Sequence, residues 1–254
     1  MITDEDTGDD LDYELEWKLR AIAPPVVFVL ALAFHASSTG HWLQRTFLTM
    51  IPHELGHAFT AWWSGHAAIP SLWKTIIYDG RGVLVPLLVA ALNVMLLWRG
   101  WQTNRNVLLG LGLALGGLQL LLTTASESTA QAAFTFGGDA GAMVIGTLLV
   151  LAFFAPAGSH VRRGGLRWGL LVIGAATITD TFATWWSARS DRSAIPFGEI
   201  EGVGLSDASK LVGVHGWTTQ ELVDRYVLVG SACVLVVVAW YAWGVYSARR
   251  TARG

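Results

Sequence analysis

The chain has 254 residues, of which 53% are hydrophobic and only 14% charged, with a mean hydropathy of +0.46. Soluble domains carry about 25% charged residues, so this composition excludes an ordinary soluble domain and points to an all-α polytopic membrane protein. The net charge of −2 conceals an acidic start: eight acids between Asp4 and Glu16 with no base among them, against a remainder at +6, and no nucleic-acid partner is expected.

Residues 1–18 read as an acidic, solvated, disordered tail and not as a secretory leader, which would open with positive charge. A membrane core is expected over residues 19–186. Its first apolar run, residues 22–36, has Pro24 and Pro25 at its start, where proline is tolerated. The second run, residues 41–64, carries Pro52-His53-Glu54-Leu55-Gly56-His57 and ends at Gly65, a predicted C-cap. Pro52 implies a local break beside this segment. Residues 65–82 form a connector whose portion Trp73 to Tyr78 has strand-like composition; a short strand or hairpin there could pair with an extended substrate, and an ordinary interfacial loop fits equally well.

Further apolar runs cover residues 83–98, 107–125, 140–156 and 166–186, with a last one at 227–246. The total is six to seven hydrophobic segments, with tryptophans such as Trp98, Trp101, Trp185, Trp186 and Trp243 at their ends, as interfacial anchors should be. A polar amphipathic region spans residues 187–226, with helix-start signals at Ser206 before Asp207 and at Thr218 three residues before Glu221. The C-terminal helix and a basic tail take residues 227–254. Seven full spans would place Lys18 and Arg20 on one side and Arg162, Arg163, Arg167, Arg249 and Arg250 on the other. The charges sort better if the first two segments cross only once between them, one being re-entrant.

The chemistry lies in His53-Glu54-x-x-His57. Four residues apart on a helix, the two imidazoles project from one face and supply two corners of a tetrahedral Zn²⁺ site. Glu54, rotated away from the pair, suits a general base. Charged groups in an apolar setting cost several kcal/mol unless paired or metal-bound. A catalytic site needs a third protein ligand. Asp139, in Phe136-Gly137-Gly138-Asp139-Ala140-Gly141, is one candidate, with a helix N-cap as its ordinary role; Asp180, inside the sixth run, is the other, as ligand, histidine acceptor or ion-pair member. Glu127 is weaker. Asn93 and Gln119 lie inside apolar runs and could hold a substrate backbone, although interhelical hydrogen bonding is the commoner use.

HELGH in a hydrophobic helix, with Gly-Asp-Ala-Gly roughly eighty residues later, resembles the site-2 protease group of intramembrane zinc metalloproteases. The resemblance implies His53, His57 and Asp139 as zinc ligands and Glu54 as general base. It also implies a substrate that is a transmembrane or juxtamembrane segment of another membrane protein, and a bacterial-type plasma membrane as the location. No Asn-Pro precedes Asp139, and Ala140 stands where the group usually has Gly. Two other readings remain: a scaffold or regulator that keeps the zinc site for structure, and a proton or metal transporter.

Overall fold

The structure, a computed structural model, describes residues 4–200 and 204–252. Its elements are α1 (Asp4–His35), α2 (Ser38–Gln44), α3 (Met50–Trp63), β1 (His66–Pro70), β2 (Thr75–Arg81), α4 (Leu84–Gln102), α5 (Asn106–Thr124) and α6 (Glu127–Ala152), followed by α7 (Leu166–Ser187), β3 (Glu199–Ile200), β4 (Gly204–Leu205), α8 (Asp207–Gly213) and α9 (Thr219–Thr251). Five helices among the described residues are long and apolar enough to cross a membrane: α1 from Tyr13, α4, α5, α6 and α9.

Two of the expected segments differ from these five. The HELGH helix α3 has 14 residues, fewer than any of the five. It continues from α2 through a π-helical turn, Arg45–Thr49, which is the local break that Pro52 implied. Helix α7 has the length, at 22 residues, but buries Thr177, Thr179, Asp180 and Thr181 inside protein.

The chain divides into two compact units. One comprises Met1–Thr49, Ala142–Ala194 and Val223–Gly254. Its core is Val150, Phe153, Phe154, Leu171 and Ile178, with Val27, Phe28 and Tyr241 packed on it. At one end, Glu16 is ringed by guanidinium groups: Arg20 Nε at 2.7 Å, Arg167 Nη1 at 3.0 Å, and Arg162. Arg249 lies 5.7 Å from the centre of the Trp17 ring. The starts of α1 and α7 and the end of α9 therefore share one end, which excludes seven alternating spans and matches the better charge sorting. Residues 1–3 of the tail expected over residues 1–18 lie outside the described residues; helix α1 runs from Asp4 through the rest, and Glu16 is held inside by pairing with three arginines.

Two carbonyl oxygens of this unit lose a helical donor to proline. Pro25 inside α1 leaves Ala21 O without its helical donor, and the Tyr241 hydroxyl donates to that oxygen at 2.9 Å. Pro52 likewise cannot donate to Leu48 O, and Thr177 Oγ1 does so at 3.3 Å. Tyr241→Phe should therefore lower the stability of the detergent-solubilised protein by about 1 kcal/mol, read as a lower thermal midpoint with helicity unchanged.

The other unit comprises Met50–Gly141 and Ile195–Leu222. Its α4–α5 hairpin is joined where Asn93 Nδ2 donates to Gln119 Oε1 at 2.9 Å and Gln119 Nε2 to Pro86 O at 2.7 Å. Strands β1 and β2 pair antiparallel, with Ala68 opposite Ile77, and pack with Ala58, Ala61, Trp62 and Phe134. Gly65, with φ of +89°, ends the α3 segment in the left-handed conformation its C-cap position requires.

Candidate metal centre

Helix α3 meets the first part of α6 with almost no space between backbones. A Cβ on Gly56 would overlap Gly137 O and approach Gly138 O at 2.8 Å, and one on Gly141 would overlap Gly56 Cα. One on Gly138 would sit 2.6 Å from atoms of both His53 and His57. The glycines of Phe-Gly-Gly-Asp-Ala-Gly thus let α6 lie directly behind the HELGH face and bring Asp139 to it.

Each imidazole is oriented through its Nδ1. His53 Nδ1 is 2.8 Å from Asp139 Oδ1, and His57 Nδ1 is 2.7 Å from Phe134 O. A carbonyl oxygen and a carboxylate oxygen only accept, so both Nδ1 atoms carry the proton and both Nε2 atoms present a lone pair. The two Nε2 atoms are 3.1 Å apart, and Asp207 Oδ2 lies 3.3 Å from the first and 2.9 Å from the second. Three electron pairs converge here on one point. Neutral imidazoles with both Nδ1 protons already committed cannot satisfy that arrangement, but a cation can. Ligand atoms around tetrahedral zinc are separated by about 3.4 Å, and this triangle has the size of one such face. His53, His57 and Asp207 could together hold a metal ion, and Asp139 accepts from His53 Nδ1 on the other side of the ring.

Comparison with protein-family models, with curated proteins and with solved structures found no match.

Asp207 is the residue that sequence reasoning did not single out for the site. It stands at the first position of α8, behind the N-cap Ser206, whose hydroxyl accepts from Ser209 N. The helix-start signal was legible, but an Asp in a first turn is ordinary there and nothing local marks it as facing histidines.

Glu54 is buried, and its Oε2 lies 2.7 Å from the Thr75 hydroxyl, at the first residue of β2. The same hydroxyl is 2.8 Å from Glu54 O, so its one proton serves either acceptor. The remaining residues singled out by sequence lie elsewhere. Asn93 and Gln119 tie α4 to α5. Glu127 pairs with buried His66 at 2.8 Å and with Arg81 at 3.8 Å. Asp180 belongs to a different cluster, with His35, His41 and Arg45.

Proposed function

We propose that the chain is a membrane-embedded zinc peptidase whose metal is held by His53, His57 and Asp207. The convergence of two Nε2 lone pairs and one carboxylate oxygen carries this reading, with a buried glutamate next to the first histidine on the same helix. Three protein ligands leave the fourth position to water, the pattern of catalytic sites; four would close a structural one. Bound there, zinc would supply a Lewis acid for the scissile carbonyl and a water of lowered pKa.

Glu54 takes the proton of the attacking water and returns it to the departing amide nitrogen. Thr75 fixes the rotamer of Glu54 by donating to its carboxylate. Asp139 fixes the tautomer and ring plane of His53. The substrate chain must be extended at the cleaved bond, because a helix hides its carbonyls. Among the described residues the β1–β2 hairpin, whose strand β2 begins at Thr75, is a two-stranded sheet, and an outer edge could receive such a segment. By the positive-inside rule, the end of the first unit that holds Arg162, Arg167 and Arg249 faces the cytoplasm.

The test is a panel of single-span reporter proteins reconstituted with the purified chain. Cleavage that chelation stops and zinc restores supports the reading. Stoichiometric zinc with no cleavage of any reporter would favour the scaffold. A second His/His/Asp group, around Asp180, gives the transporter reading its observation. Zinc uptake into proteoliposomes that fails in both His57→Ala and Asp180→Asn would displace the peptidase.

A further inference from the structure

We propose that His35, His41 and Asp180 form a second site for a divalent transition-metal ion of the zinc class, wholly within the first unit. Helix α1 ends at His35, and Ser37 caps α2 by accepting from Gly40 N, so the tight connection brings His41 back beside His35, with ring centres 4.6 Å apart. Gln44 Nε2 donates to Ala176 O at 2.8 Å and holds α2 on α7. Under this bracket, α7 presents Asp180, which has no exposed surface.

Asp180 Oδ1 lies 3.0 Å from His41 Nε2 and 3.5 Å from His35 Nδ1, and the three ligand atoms all fall within 4.8 Å of one another. The two carboxylate–imidazole separations are near the roughly 3.4 Å between neighbouring ligands of tetrahedral zinc. Yet His35 Nδ1 and Asp180 Oδ1 are both buried and make no hydrogen bond. They are close enough to interact but not directed at each other as donor and acceptor, which is the geometry of two ligands aimed at a shared ion. A buried imidazole nitrogen left unmatched is costly, and most such groups in folded proteins are satisfied.

The carboxylate is divided between two tasks. Arg45 Nη1 approaches Oδ2 at 3.4 Å, a long contact, and the Oδ1 side is left to the imidazoles. The Arg45 charge lowers affinity for a second cation but does not compete for the same oxygen. The His41 side chain is 45% exposed, so the ion has a path from solvent and a place for water as its fourth ligand. The ion would staple the α1–α2 connection to α7.

The experiment counts zinc in full-length detergent-purified protein that has been stripped by chelator and reloaded, with cobalt absorption as a second readout. Wild type should hold about two zinc ions per chain, His57→Ala about one, His41→Ala about one, and the double variant none. His41 is half-exposed, so its loss leaves folding intact; Asp180→Asn provides an independent variant. In the His57→Ala background the tetrahedral cobalt band should vanish on adding His41→Ala or Asp180→Asn. Zinc or cobalt in that background that neither variant disturbs overturns the second site, as does its complete absence there. One zinc that survives His57→Ala but not His41→Ala would sink the HELGH site and leave this one standing.

Discussion

Glu54→Gln should leave zinc content unchanged and lower reporter cleavage by roughly 10²- to 10⁴-fold, the range for loss of a positioned general base. The amide is nearly isosteric and can still accept from Thr75 Oγ1, which is 2.7 Å from Oε2, so the buried packing survives. It cannot take a proton from water at neutral pH. Because Glu54 holds none of the three converging ligand atoms, metal retention and activity should separate completely in this variant. Thr75→Val makes the complementary case. It keeps the base and removes the group that orients it, so activity should fall by a smaller factor, with zinc again retained. Wild-type cleavage rates in Glu54→Gln would remove Glu54 from the mechanism whatever the metal content proved to be.

The parts legible in the sequence are those whose cause is local. His53 and His57 share a face because four residues make about one helical turn. The portion Trp73 to Tyr78 had strand-like composition with a loop equally open, and β2 forms over Thr75–Arg81; the capping box at Thr218 forms as written, with Thr218 N donating to Glu221 Oε2 at 2.8 Å and Glu221 N to Thr218 Oγ1 at 3.1 Å. That second helix start does not stay within the polar region of residues 187–226, however. It is the beginning of the 33-residue α9, because nothing between Thr219 and the apolar run stops propagation.

What stayed illegible depends on closure between distant segments. Glu16 sat in an acidic stretch and read as solvent-facing until Arg162 and Arg167 folded onto it. Asp180 was visible as a buried carboxylate in need of a partner, but nothing local marks His35 and His41, far upstream in the chain, as residues that pair with it. Hydropathy counted α7 as a span because periodicity does not distinguish burial in protein from burial in lipid.

Replacing Asp207 and Asp139 separately should divide their roles. Asp207→Ala removes one of three ligand atoms and is expected to leave the purified protein without stoichiometric zinc. The structural cost should be small, since Ser206 still caps α8 and a first-turn acid contributes only about 0.3–1 kcal/mol to its helix. Asp139→Ala should instead retain zinc with affinity weakened by about 10- to 100-fold, the usual effect of losing a carboxylate that orients a metal-bound histidine. Asp139→Asn should be milder still, because its carbonyl can accept from His53 Nδ1. Chelator competition measures each affinity, and the cobalt spectrum reports whether the coordination number has changed. The resemblance to the site-2 protease group implies the opposite ordering, with Asp139 as the ligand that cannot be lost. If Asp139→Ala empties the site and Asp207→Ala does not, Asp207 is an ion-pair partner of two histidines and Asp139 turns toward the metal when it binds. If the ordering derived from the geometry holds, the third ligand comes from a polar segment some seventy residues beyond the Gly-Asp-Ala-Gly sequence, and the chain builds a familiar metal pair with a different closing residue.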